Sequence, residues 1–342
     1  MCILLPIFCA EGAWGQGLAV ATPTGTAQTR PPSGLRITAN VKTNFSGTNF
    51  GQVGCDANGD VYVRNYDASP KFMRAAVQRI GADGATSGHF GIADASLDGV
   101  INDFFVTARG PVYLLAWAQD IIRPGYHSYV LKFAPDGSLE SMVRLQASDH
   151  VLPAHIAVFE SGEILMTGRD RYTPFTAVFT SGGGAVKEIF EPEDAELGKR
   201  AQAGDTDVLA YSNVGNDAVD LGSAALGSDG NAYLMRRTSP ALVYVISSNG
   251  AVVRKLYVGA DGSSAFPKQI HAFPGGLALS FESEGGARAL KVVSLEGKSL
   301  ASYSVNAASF GDLACYLPPR FLFLAGANGD SGFEYRIWAE PK

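Results

Sequence analysis

Histidine and cysteine are scarce in this chain, with five and four residues in 342. Their scarcity, and the spacing of the few present, excludes several chemistries. There is no Cys-x-x-Cys pair, no His-Glu-x-x-His helix, no Gly-x-Ser-x-Gly elbow and no Gly-rich phosphate loop. The more recognisable redox, metalloprotease, hydrolase and nucleotide-binding readings therefore fall away. Basic charge is also short: Lys+Arg 27 against Asp+Glu 33 leaves a formal net charge of −6. General affinity for nucleic acid or anionic membrane needs a basic surface, so neither partner is expected. No long stretch carries the helical period, and no membrane span is expected.

What is present is glycine, proline and apolar residues. The chain has 40 Gly and 17 Pro at nearly regular intervals and is 46% hydrophobic. That combination suits a large core built from many short strands and tight turns. The first residues, MCILLPIFCAEGAWGQGLAVA, hold an apolar run from Cys2 to Ala10 followed by small residues, which reads as a secretory signal over residues 1–21. Cleavage is expected after Gln16 or after Ala19-Val20-Ala21, and export to the periplasm or the exterior follows. Residues 22–34, rich in Thr, Pro and Gly, read as a linker to a single domain over 35–342.

Self-similarity decides the fold. A short apolar strand, a Gly-containing turn and a second apolar strand recur as GCDANGDVYVRNY, FVTARGPVYLLAW, AVFESGEILMTG, ALGSDGNAYLM, HAFPGGLALSF and CYLPPRFLFLAG. The turn positions Gly59, Gly110, Gly162, Gly230, Gly275 and Pro319 are separated by 51, 52, 68, 45 and 44 residues. After each of the first five comes another strand–turn–strand phrase, such as YVLKFAPDGSLESMVRL or LVYVISSNGAVVRKLYV. Its Asp-Gly and Asn-Gly turns lie between alternating apolar runs, a strong hairpin signal. The sixth unit ends at FEYRIWAEPK without a fourth strand, while an unassigned strand, LRITANVKTNF, precedes the first unit.

These units resemble the NHL-repeat and TolB-like six-bladed β-propellers. The resemblance implies an all-β fold of six four-stranded blades, with the early strand completing the last blade and removing the open edge. It also implies a central channel, at whose mouth the inner strands begin and the loops between second and third strands open.

Seven residues before each turn position stand Gln52, Asp103, His155, Ser223, Lys268 and Asp312, with Asn102, Asp220 and His271 close by. All six are polar. One reading is a solvated mouth; the other is a cation site, calcium being the candidate, in which Asp103 and Asp312 with His155 hold a divalent ion. Beyond that ion no cofactor is assured. The second-to-third strand loops concentrate arginine: Arg64, Arg74, Arg123, Arg169, Arg171, Arg236 and Arg237, beside Tyr66, Tyr126 and Tyr172. Guanidinium forks and flat rings recognise carboxylates, sugars and peptides. Solubility alone also accounts for loop arginines.

Smaller features complete the reading. The insertion 191–220 contains EDAELGKRAQA, with acid near its start and base near its end, as a short helix requires. It is either a lid or a surface insertion. Asp56, Asn58 and Asp60 imitate a calcium loop without its later Glu, and read as a turn. Cys55 and Cys315 stand four residues before their turns, and counting makes them rotationally equivalent, hence two buried free thiols.

The functional expectation is a monomeric, non-catalytic exported module. It would hold a peptide, glycan or protein at the channel mouth with Arg64, Arg123, Tyr126, Arg169, Arg171, Tyr172, Arg236, Arg237, His155 and His271. The rival is a metal-dependent hydrolase or lyase similar to the propeller lactonases, and a quinoprotein dehydrogenase stands third.

Overall fold

The glycines that punctuate the repeat sit at reversals of the chain. Gly59, Gly110, Gly162, Gly230 and Gly275 have φ between 78° and 100°, the left-handed region that side chains with a Cβ resist. The computed structural model describes residues 34–45, 48–67, 74–120, 125–205, 208–210, 218–219, 221–260, 265–282, 287–326 and 334–342. Between the turns the chain is extended.

A first strand, β1 (Leu35–Lys42), precedes a series of antiparallel meanders. Blade 1 comprises β2 (Thr48–Cys55), β3 (Val61–Asp67), β4 (Arg74–Ile80) and β5 (Thr86–Gly91). Blade 2 is β6 (Leu97–Val106), β7 (Val112–Asp120), β8 (Tyr126–Phe133) and β9 (Leu139–Arg144). Blade 3 is β10 (Leu152–Val158), β11 (Ile164–Asp170), β12 (Thr173–Phe179) and β13 (Ala185–Glu188). The insertion then forms helix α1 (Pro192–Gln202) and a minimal hairpin of β14 (Leu209–Ala210) and β15 (Ala218–Val219).

Blade 4 is β16 (Ser223–Leu226), β17 (Ala232–Arg236), β18 (Ala241–Ile246) and β19 (Val252–Val258). Blade 5 is β20 (Phe266–Phe273), β21 (Gly276–Glu282), β22 (Ala287–Ser294) and β23 (Ser299–Asn306). After the single turn α2 (Ala307–Phe310) come β24 (Asp312–Leu317), β25 (Arg320–Ala325) and β26 (Tyr335–Pro341). Strand β1 supplies the fourth strand of this last blade, pairing with β26 from Leu35↔Pro341 to Lys42↔Tyr335. The expected closure by the N-terminal strand is therefore present.

Inner strands touch in the order β2, β6, β10, β16, β20, β24 and back to β2. Apolar clusters fill the seams between blades. One packs Tyr62, Phe90, Phe104 and Leu114 between blades 1 and 2, and another packs Leu35, Leu290, Phe321 and Phe323 between blades 5 and 6. Full burial of such a side chain contributes about 1.5–3 kcal/mol, so flat faces pressed together suffice to hold a ring without a single central core.

The seam between blades 6 and 1 carries a covalent tie. Cys55 and Cys315 form a disulfide with Cα atoms 5.9 Å apart, closing a sequence separation of 260. This corrects the expectation of free thiols. Counting back from the turn assumed equal turns, but blade 1 reverses through five residues between Cys55 and Val61, while blade 6 needs only two between Leu317 and Arg320. A bulge between Leu313 and Cys315 shifts the register again. The two cysteines are thus not rotationally equivalent and meet across the seam.

Candidate functional site

Inner strands begin with a recurring irregularity. Register shifts interrupt β2 between Asn49 and Val53, β6 between Ile101 and Asp103, β10 between Pro153 and His155, β20 between Pro267 and Gln269, and β24 between Leu313 and Cys315. A bulge twists the strand and re-aims the side chains beside it. The residues just past it, Asp103, His155, Gln269 and Cys315, occupy matching places, and Ser223 at the start of β16 joins them.

Two members of this tier staple blades together. Asp103 Oδ2 accepts a hydrogen bond from the backbone N–H of Ile156 at 2.9 Å, and Ser223 Oγ accepts one from Ile270 at 2.9 Å. The other Asp103 oxygen accepts from Phe104 N–H at 2.8 Å, and His155 Nδ1 lies 3.3 Å from Oδ2. Asp103 is buried at 1% exposure, so both its oxygens serve the protein. Asp312 receives Lys268 Nζ at 2.9 Å and Arg288 Nη2 at 2.8 Å. Neither carboxylate lines the channel. Among the described residues no three His, Cys, Asp or Glu side chains gather as a ligand set. A divalent ion held by Asp103 and Asp312 does not fit this arrangement.

Inside the ring of inner strands is a cavity of about 910 Å³, lined by residues of all six blades. Gln52, Arg64, Asn102, His155, Ser223, Lys268 and Gln269 line it where the strands begin, with His271 two residues further along β20. Phe104, Phe105, Tyr113 and Tyr316 make its middle more apolar. At the opposite, turn end stand Asp56, Arg109 and Glu160. Asp56 holds its own turn there, accepting from the N–H groups of Asn58 and Asp60 at 2.9 and 3.0 Å, as the turn reading of that segment requires.

His271 is the most perturbed side chain of the lining. Burial lowers its pKa from 6.5 to about 4, against the opposing effect of a hydrogen bond with the Leu313 carbonyl, so the imidazole is neutral at pH 7. Its Nε2 is buried without a hydrogen-bond partner.

Among the described residues, the arginines of these loops do not assemble into one surface. Arg236 is 0% exposed: its guanidinium bonds Asp194 of α1 twice, at 2.8 Å each, and also Thr167 and Thr176 of blade 3. That removes it from the ligand-binding set and makes it a clamp for the insertion. Arg64 donates to the carbonyls of Ile101 and Asn102, tying blade 1 to blade 2 while its side chain lines the channel. Arg237 stacks its guanidinium 5.4 Å from the Phe266 ring centre. Tyr172 packs against the apolar cluster of α1. Tyr126 stacks on Trp117 with centroids 6.0 Å apart. Arg169 is the penultimate residue of β11, and Arg171 is exposed at the β11–β12 turn with φ 52°. Arg123 lies outside the described residues, as do Asp220 and the side chains of Arg74 and Tyr66.

Helix α1 forms where the acid-to-base pattern expects it, with Pro192 at its start, Glu193 and Asp194 in the first turn and Lys199 and Arg200 in the last. It docks on blades 3 and 4 through Asp194, Leu197 and Ala201, with Lys255 bridging Glu191 and Glu193 at 2.7 Å. None of its residues lines the channel. Sequence reasoning missed Gln269, whose matching place becomes visible only once the bulge in β20 is known.

No family model matches the chain, and no curated protein matches it. Among solved structures, the PQQ-bound aldose sugar dehydrogenase of Streptomyces coelicolor is similar at 10% identity, with 92% of this chain and 100% of that one covered and a TM-score of 0.50. A candidate gluconolactonase is similar at 10% identity over 92% and 93%, also with a TM-score of 0.50. Identity this low speaks for architecture alone. Blade count, strand order and these neighbours together make the chain a six-bladed β-propeller.

Proposed function

We propose that this chain is an exported binding propeller that takes a polar small molecule into its central channel. The observation that carries the proposal is the cavity itself: about 910 Å³, polar where the inner strands begin and more apolar in its middle. Concave sites of this size, mainly apolar with a few converging polar groups, are where small ligands bind. Export is supported by the Cys55–Cys315 disulfide, since such bonds persist in oxidising compartments.

A metal-dependent hydrolase is less well supported, because Asp103 and Asp312 already answer protein donors. A quinone cofactor rich in carboxylates would call on cations at the mouth. There Arg64 bonds backbone carbonyls, and Lys268 is paired with Asp312 at 2.9 Å and Glu282 at 3.5 Å. The loops offer less than the channel, since Arg236 is buried and Tyr172 packs against the α1 cluster.

Thermal melting against panels of neutral, anionic and cationic small molecules tests the proposal. A channel ligand should raise the melting temperature by mass action, and Ala224→Trp, which puts an indole into the channel lining, should reduce that rise. A ligand whose effect survives undiminished in Ala224→Trp binds elsewhere and refutes the channel site.

A further inference from the structure

The channel mouth is polar on several blades, but its side chains are not equally free to bind. On blades 4 and 5 they answer the protein: Ser223 Oγ accepts the Ile270 N–H at 2.9 Å, and Lys268 Nζ donates to Asp312 at 2.9 Å. On blades 1, 2 and 3, Gln52, Asn102 and His155 line the cavity and are each half-buried, so part of every one meets the open space. The Gln52 amide has no partner among the described residues and is not sealed away from solvent.

His155 is held by its hidden edge. Nδ1 is buried and stands 3.3 Å from Oδ2 of Asp103, itself 1% exposed. The contact is not aligned as a hydrogen bond, yet the carboxylate sets the tautomer, because a lone pair on Nδ1 would face the lone pairs of Oδ2. In the neutral ring the proton therefore stands on Nδ1 and Nε2 keeps a lone pair. With Nδ1 buried, the exposed 22% of the side chain lies on the rest of the ring, toward the cavity.

Asn102 offers the opposite polarity. Its Oδ1 accepts the Trp117 N–H at 3.2 Å, which fixes the amide and leaves Nδ2 as the group that can bind. Nδ2 has no partner among the described residues and is not sealed away either. Asn102 sits in the bulge between Ile101 and Asp103, one residue from the carboxylate that touches His155. An acceptor on blade 3 and a donor on blade 2 thus stand at neighbouring places.

Charge narrows the ligand. Among the described residues no carboxylate lines this end of the cavity, so a cation finds no counter-ion; Asp56 and Glu160 lie at the turn end. An anion would meet the Asp103 charge behind His155, and the cations of the mouth are engaged, Arg64 with the Ile101 carbonyl and Lys268 with Asp312. An uncharged ligand remains. Phe105 and Tyr113, half-buried in the middle of the cavity, give a flat group a surface to lie against.

We propose that His155 Nε2 and Asn102 Nδ2 are the recognition pair for an uncharged ligand carrying a hydroxyl beside a carbonyl oxygen; this rests on the channel reading above. The hydroxyl donates to His155, the carbonyl accepts from Asn102, and Asp103 is the positioning residue that sets the imidazole tautomer.

The test is calorimetric titration of the full chain with N-benzylglycolamide, its methyl ether N-benzylmethoxyacetamide, phenethyl alcohol and sodium mandelate. The glycolamide should bind about tenfold more tightly than the ether, which has lost the hydroxyl proton, or the alcohol, which lacks the carbonyl, and anionic mandelate should not bind. His155→Phe should abolish the preference over the ether, while His155→Gln, which restores an acceptor, keeps it. Asn102→Asp, which preserves the bond from the Trp117 N–H and removes the donor, should abolish the preference over the alcohol. For Asp103 the readout is the NMR spectrum of the ring nitrogens of His155, with Nδ1 protonated in the wild type and mixed tautomers in Asp103→Asn.

Each binding variant is read as a ratio of two ligands, so a smaller folded fraction does not imitate the result. If His155→Phe fails to fold, the Asn102→Asp ratio decides. Equal binding of glycolamide and ether by the wild type, binding of mandelate, preferences unchanged in both variants, or a wild-type ring protonated on Nε2 overturns the pair and leaves the channel site standing. Refusal of all four probes overturns the ligand class; the channel reading falls as well only if no member of the wider small-molecule panels is captured either.

Discussion

Arg236 and Asp194 meet as a two-pronged buried ion pair, each N···O distance 2.8 Å, at the seam where helix α1 lies on blades 3 and 4. The hydroxyl of Tyr244 donates to the same carboxylate at 3.1 Å, and burial followed by the Asp194 charge pushes that phenol's pKa up. Removing one partner of a buried pair leaves an uncompensated charge, which costs about 3–5 kcal/mol. Arg236→Met should therefore lose stability on that scale in urea unfolding. Adding Asp194→Asn to it should restore part of the loss, and a double variant as unstable as the sum of the single ones would contradict the pairing.

The bond between Cys55 and Cys315 encloses nearly the whole ring. Long-loop disulfides restrict the unfolded chain and typically contribute 2–4 kcal/mol. Cys55→Ser should lower the unfolding free energy measured in urea by a comparable amount, and non-reducing peptide mapping of the wild type should recover one peptide joining residues 55 and 315. Two separately recovered thiol peptides from protein folded under oxidising conditions would refute the tie.

The neutrality of His271 has a signature in acid. Its pKa is lowered from 6.5 to about 4 in the fold. Above pH 6.5 the ring is neutral folded and unfolded alike, and this residue adds no pH dependence. Between 6.5 and 4 only the unfolded chain takes up the proton, so stability falls as pH falls, by up to about 3 kcal/mol. His271→Phe should flatten the fall over that window. The same steepness in wild type and variant would assign the acid loss to other groups.

Asp103 behaves in this structure as a staple between blades 2 and 3. Asp103→Ala should strand the Ile156 N–H and cost about 1–3 kcal/mol. The loss should be equal with and without chelator, since both Asp103 oxygens accept from backbone N–H groups. A wild-type melting temperature that drops on chelation, with that drop absent in Asp103→Ala, would return this carboxylate to a metal site.

The blades were legible because their signals are local. A glycine with positive φ, such as Gly110 or Gly162, and the alternation on either side of it fall within a dozen residues. Closure was legible because one strand was missing from the last unit and one was left over before the first. The site was less so. Bulges are invisible to counting, and they put Gln269 rather than Lys268 in the place that Asp103 holds in blade 2. The cysteines were misjudged for the same reason. The loop arginines were misread because their partners are distant in sequence: Arg236 reaches Thr167, and Arg64 reaches the carbonyl of Ile101 on the next blade.

The most direct test of the channel as the binding site is the dissociation constant of one captured ligand, measured on three proteins: wild type, Ala224→Trp and Arg169→Ala/Arg171→Ala. Binding should weaken when the indole narrows the channel and stay unchanged when the loop arginines are removed. Undiminished binding in Ala224→Trp with loss in the arginine variant would place recognition on the loops and contradict the account.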